Sequence, residues 1–450
     1  MNTWEDLVST ALVGTDRRPY EGDLLGDAAV EVVRRRAGQR PGTEETEEPA
    51  QERAAPEERP AVGRRAAGRL GRILGGEHAR LLPEWLRLAA EAGRRVSPHL
   101  LPELLDRGAR DSSLRACLGV LAGQRGRWLA ARNPAWAYLL DEPTGETWEL
   151  GGPADRRAYL RTLRERDPAE ARRLLEESWE REAPDDRAAF LEVLELGLSM
   201  DDEPFLEAAL DDRRREVRQQ AANLLTRLPE SRLARRMAER AARCVTVGRN
   251  EIVVIPLLEC DKAMERDGVR AKPPAGTGER AWWLQQLVAR TPLSFWTHPP
   301  AELLARKIPD WDAEVKMGWV RAAILQRDAQ WARAMFEWDP IADLLVALPA
   351  WEQQALAAEF TDRRDLDSQL IMVLGGVAAP WQAGLATAVL NKIVRVAGSQ
   401  PWNLGELSRL AGERIDPSLH RLAERASPEP AVQEVAALLR FRAEMREELT

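Results

Sequence analysis

The sequence has little of what most enzymatic chemistry requires. Its three cysteines, Cys117, Cys244 and Cys260, lie far apart without a C-x-x-C pair. That spacing supports neither a zinc ribbon nor a disulfide framework, and it suits a reducing compartment. Its four histidines, His78, His99, His298 and His420, fall in no HxxxH or HExxH arrangement, so a metal centre or a nucleophile triad has no spacing to rest on. AGTGER at 275–280 comes nearest to a phosphate loop, but it lacks the GxxxxGK[ST] pattern and follows no clear strand. No catalytic, cofactor or metal site is expected.

Long apolar runs are missing too. Nowhere do eighteen apolar residues stand together, and the opening MNTWEDLVSTALVGTDRRP has no basic segment followed by an apolar one. Neither a membrane span nor an export signal is expected, which points to a cytoplasmic protein. Lysine supplies only five of the 65 basic residues, and the formal net charge is −8. Such a chain has no global field to draw in a polyanion, so nucleic acid is disfavoured as a partner.

What is present is alanine, leucine, glutamate and arginine in long stretches, with 44% hydrophobic and 31% charged residues and little Ile, Tyr or Phe. This composition favours helices over strands. At 450 residues the chain exceeds one ordinary compact core, so an all-α array of repeats is the natural expectation.

The stretch PFLEAALDDRRREVRQQAANLLTRLP at 204–229 shows what one repeat contains. Pro204 has no amide hydrogen to lose in a first helical turn. Phe205, Leu206, Ala209 and Leu210 give a first helix its inner face. Asp211 and Asp212 are placed to stop it and cap the next, whose inner face is Ala221, Ala222, Leu224, Leu225 and Leu228. LLPELLDRGARDSSLRACLGVLAG at 100–123 repeats the layout, with Pro102 for Pro204 and Leu114-Arg115 for Val217-Arg218. LLPEWL at 81–86 echoes LLPELL, and LLTRLP at 224–229 returns as LLVALP at 344–349. The pattern of proline, leucines, turn aspartate and Val-Arg resembles HEAT repeats, which implies an α-solenoid of helical hairpins.

The expected organisation has five parts. Residues 1–36 form an N-terminal helical segment, with Trp4, Leu7, Val8, Ala11 and Leu12 on one helix face and Ala28, Val32 and Val33 inward on a second helix. Residues 37–63, rich in Pro, Glu, Arg and Gly, bury too little apolar surface to fold and read as a disordered linker. HEAT-like repeats fill 64–245. A junction follows at 246–280, where Ile252 to Ile255 suit either a short strand or a buried helix start. Further helical repeats, opened by prolines, fill 281–450.

Two features stand out as candidate partner-binding elements. Arg232, Arg235, Arg236, Arg240 and Arg243 recur at three- and four-residue steps, opposite Leu233, Met237 and Ala241, and so line one helix face. Between Arg213 and Arg243 there are ten arginines against three glutamates. The surface reads either as an anion-binding face or as a solvated one neutralised by neighbouring acidic helices. The sixteen tryptophans read mainly as wedges between helices. The adjacent pair Trp282 and Trp283 cannot both face one way, which leaves one of them for a surface or a partner.

WEDLVSTALVGTDRRP at 4–19, GRWLAARNPAWAYL at 126–139, GLSMDDEPFLEAALDDRRREVR at 197–218 and GERAWWLQQL at 278–287 resemble an uncharacterised bacterial family defined only as a domain of unknown function. The resemblance implies a helical-repeat component encoded near MoxR-type AAA+ ATPases, von Willebrand A-domain proteins and SWIM zinc-finger proteins. The expected function is a non-enzymatic scaffold for a protein partner, within such an assembly. The alternatives are a HEAT-like protein that cradles nucleic acid, even as a base-excising glycosylase, and a small-molecule enzyme on the same scaffold, which would need a deep pocket with convergent ionisable groups.

Overall fold

The computed structural model describes residues 4–37, 53–140, 148–149, 151–398 and 401–449. The described residues are chiefly helical, as the composition predicts. The strands among them are Val245–Val247 and Ile252–Val254, an antiparallel hairpin that pairs Val245 with Val254 and Val247 with Ile252. The β-branched run at the junction is therefore a strand.

The chain divides into two compact units, Met1–Glu58 and Arg59–Thr450. In the first, the helices Trp4–Val13 and Leu24–Ala37 pack on one another and bury Leu7 and Thr10. Leu12 and Val33, expected to face inward, are exposed by 83% and 64%. Two short helices cover only one stripe of each other, so the rest of each apolar face stays open. Most of the stretch read as a linker lies outside the described residues. Its last part, from Arg59, belongs to the second unit: the Val62 amide donates to the Arg95 carbonyl, the Arg95 amide donates to the Pro60 carbonyl, and Val62 is buried.

In the second unit helices pack mainly on those one or two places along the chain. Prolines open them as expected, at Pro153, Pro168, Pro184, Pro204, Pro300 and Pro430 among others. The unit quoted above forms the helices Glu203–Ala209 and Arg215–Thr226, and its inward residues Leu206, Leu210, Val217, Ala221, Ala222 and Leu225 are fully buried. The arginine after the apolar residue now has a physical role. Arg218 donates back to the carbonyls of Asp212 and Arg213 at 2.8 and 3.1 Å. Arg115 does the same to Gly108 and Ala109 at 3.0 and 3.3 Å. Each guanidinium satisfies carbonyls left over where the preceding helix ends. The expected aspartate cap is not formed. Arg214 precedes the Arg215–Thr226 helix without a side-chain cap, because Asp212 accepts from the Arg214 amide at 2.7 Å and pairs with Arg187, while Asp211 pairs with Arg266.

Two cores result. One runs through residues 148–439, and the other joins 62–139 to Phe441, Met445 and Leu449 of the last helix, Pro430–Leu449. That helix also carries Val432, Val435 and Leu439 of the larger core, so it is shared between both. Most described tryptophans are wedges, as predicted: Trp85, Trp319 and Trp381 are fully buried, and Trp296, Trp319 and Trp331 meet in series, the first pair edge-to-face and the second tilted, with centroids 5.3 and 5.6 Å apart.

Candidate functional site

The arginine stripe lies on the Arg232–Cys244 helix, opposite buried Leu233, Met237 and Ala241. Three of its five members are held in ion pairs. Arg232 grips both oxygens of Glu203 at 2.8 and 2.9 Å. Arg236 grips Asp267 at 3.0 and 2.7 Å and also reaches Glu207, and Arg240 meets Asp267 at 2.6 Å. Arg266 closes the cluster with Glu207 and Asp211. Hydrogen bonds from Arg232 hold the Glu203 carboxyl below its ordinary range, and those from Arg266 do the same for Asp211. Arg235 and Arg243 are exposed. The neutralising carboxylates come from Glu203 to Asp211 and from Asp267, outside the window in which the sequence shows ten arginines against three glutamates.

The tryptophan pair divides as its spacing requires. Trp283 is buried, with its indole donating to the Ala271 carbonyl at 2.8 Å. Trp282 is half-buried and lines a cleft of about 400 Å³.

Three helices build this cleft. Glu279–Arg290 contributes Trp282, Gln285, Gln286, Ala289 and Arg290; Asp312–Gln326 contributes Met317, Val320, Arg321, Ile324 and Leu325. In both sets the spacing is three, four, seven and eight residues from the first member, one continuous helix face. Arg215–Thr226 adds Gln219 and Asn223, and Arg270 and Ile341 complete the lining. The first two helices approach closely because residue 318 is glycine: a Cβ there would lie 2.6 Å from the Val288 Cβ.

The cleft has a polar end and an apolar wall. At the polar end Arg270 is held in place by its backbone, since its amide donates to Gln286 Oε1 at 2.8 Å and its carbonyl accepts from Gln286 Nε2 at 3.1 Å. Its Nε donates to Gln219 Oε1 at 3.2 Å. Arg290 is buried, with Nη1 donating to Asn223 Oδ1 at 3.2 Å and Nη2 to the Gly268 carbonyl at 3.3 Å. Gly268, at φ +84°, allows that approach; a Cβ there would strike Ala222 at 2.6 Å. Among the described residues Arg270, Arg290 and Arg321 have no carboxylate partner within ion-pair distance, and no lining residue is acidic. Burial, then repulsion from Arg321 and Arg270, holds the Arg290 guanidinium down to about 10. A smaller hollow of about 200 Å³, with Arg215, Arg218 and Lys272 in its lining, adjoins the cleft through Gln219 and Arg270.

Sequence reasoning missed Arg270, Arg290 and Arg321, which lie on three segments far apart in the chain. It also read Trp351 as a packing residue. Trp351 is 73% exposed, and Pro349, Ala350 and Val346 beside it are exposed as well. The helix Ser368–Gly376, which carries exposed Met372, packs on the turn Ala342–Ala347. The signal was in the text, since ALPAW puts the indole at the second position of a helix opened after a proline, before any inward stripe begins.

Elsewhere the described residues contain no group of three or more His, Cys, Asp or Glu that could hold a metal ion, and no helix long and apolar enough to cross a membrane. No curated protein and no solved structure matches the chain. A family model described as a family of unknown function (DUF5691) matches residues 6–449. A match over nearly the whole length shows that this chain belongs to the DUF5691 family.

Proposed function

We propose that the protein is a non-enzymatic helical-repeat scaffold that binds a protein partner in the cytoplasm. The observation that carries this reading is the exposed apolar segment around Trp351. An indole left 73% open at a helix start, with Val346 and Pro349 beside it, gains nothing for folding. Large aromatic side chains held on rigid elements are the usual anchors of protein interfaces. The partner reading extends to an assembly with a MoxR-type AAA+ ATPase or a von Willebrand A-domain protein, an extension that rests on the family resemblance alone.

The nucleic-acid alternative loses its main support. With Arg232, Arg236 and Arg240 engaged by Glu203, Glu207 and Asp267, three of the stripe's five guanidiniums already have carboxylate partners, on a chain of net charge −8. The deciding experiment is affinity capture from the native host with wild-type protein and with Trp351→Asp. A defined protein retained by the wild type and lost with the variant supports the scaffold. Recovery of nucleic acid alone, released by salt, overturns it.

A further inference from the structure

The cleft described above has a chemistry that the scaffold reading does not use. Arg290 is 94% buried, and a buried guanidinium is ordinarily retained with a carboxylate beside it. Asp267, whose negative charge acts on Arg290, is already shared by Arg236, Arg240 and Arg266. Arg270 and Arg321 line the same cleft and raise its positive charge further. Such a cluster of like charges is unfavourable by itself and becomes favourable when an anion enters it.

Two further observations point the same way. Arg290 Nε and Trp282 Nε1 are buried donors with no acceptor among the described residues. Both belong to residues that line the cleft, and leaving them unpaired carries a desolvation cost. Met317, Val320, Ile324 and Ile341 give the same cleft an apolar wall. A volume of about 400 Å³ falls in the range of small-molecule sites and is too small for a folded segment of another protein.

We propose that this cleft is a binding site for a small organic anion, a molecule with one phosphate or carboxylate group on an apolar body. The anion sits among Arg270, Arg290 and Arg321, and the body lies against the Met317 to Ile341 wall. Gln286 and Gln219 keep Arg270 in position for it, so little ordering is left for the ligand to impose.

The test is calorimetric titration of the full chain at low salt with phenyl phosphate, phenylacetate and inorganic phosphate, with 2-phenylethanol as the neutral control. Binding of phenyl phosphate or phenylacetate more tightly than inorganic phosphate, absence of binding by the alcohol, and a loss of about tenfold or more in the Arg270→Gln/Arg321→Gln double variant support the site. Both substituted arginines are exposed, so an unchanged melting temperature confirms that the variant folds. Phenyl phosphate alone binding assigns a phosphoryl group, and phenylacetate alone a carboxylate. No binding of either organic anion at millimolar concentration, binding of inorganic phosphate as tight as theirs, equal binding of the alcohol, or undiminished binding by the double variant overturns the proposal. Trp351 does not line the cleft, so a Trp351 variant that loses its partner while still binding the anion leaves this inference standing.

Discussion

Arg442 holds Glu84 across 358 residues of sequence, its Nε and Nη2 donating to the two carboxylate oxygens at 2.8 and 3.2 Å. Around this pair the last helix closes onto the first block of the second unit. Arg69 grips Glu448 with Nε and Nη2, both at 2.8 Å, and its guanidinium lies 4.4 Å from the Phe441 ring. Arg442 is 4% exposed, so removing its counter-charge strands a buried cation. Glu84→Gln is expected to cost about 3 kcal/mol in urea unfolding. Replacing both residues with apolar ones of similar volume should cost less than that, and a double variant as unstable as the single one would contradict the argument.

Trp351 and Trp319 make opposite predictions. Trp319 is fully buried in the tryptophan series, and Trp319→Ala should lose about 3–5 kcal/mol. Trp351→Ala, at a site 73% exposed, should leave the melting temperature within a degree or so of wild type and still weaken partner capture. A large stability loss at Trp351 would return it to the core.

How much of this was legible follows the range of each interaction. Pro204, Leu206, Val217 and Ala221 act within one helical hairpin, and their periodicity placed them correctly. Neutralisation of the arginine stripe was legible as one of its two readings, but the partner of Arg236 was not, because Asp267 is 31 residues away and only packing brings it near. The cleft was hidden for the same reason: Asn223, Arg290 and Arg321 sit on three helices, and each reads as an ordinary polar position on its own. Leu12 and Val33 failed differently. Their periodicity was right, but a two-helix unit lacks the surface to cover them.

Acid should loosen two ion pairs, Arg232 with Glu203 and Arg333 with Glu352. Glu203 is held below its ordinary range chiefly by hydrogen bonds from Arg232, and Glu352 by those from Arg333. For a carboxylate with a depressed folded value the unfolded state binds more protons in the acid range, so stability falls as pH drops. The loss should begin near the usual glutamate value of about 4.3 and continue through the lower folded values. Urea midpoints measured from neutral pH downward should fall less steeply for Arg232→Gln than for wild type.

Gly318 sets the spacing of the cleft. With a Cβ only 2.6 Å from the Val288 Cβ and 3.1 Å from the Gln285 carbonyl, Gly318→Ala must push the two wall helices apart. The expected cost is about 1–3 kcal/mol. Anion affinity should fall with it, while Gly119→Ala, inside the Arg115–Leu121 helix where nothing lies within 4 Å, should leave affinity unchanged and hold or raise stability.

Arg290→Met separates a strut from a ligand group. The folded guanidinium value, held down to about 10, lies below that of an ordinary arginine, so the protonated form is less favoured in the folded chain than in the unfolded one. Between those two values the unfolded state holds more protons, and at neutral pH the full penalty of the buried charge applies. Removing the charge should therefore leave stability unchanged or raise it, even though bonds to Asn223, Thr226 and the Gly268 carbonyl are lost, and anion binding should disappear. A variant that instead loses more than about 1 kcal/mol would show that Arg290 is kept for those bonds, with the positive charge a by-product of packing.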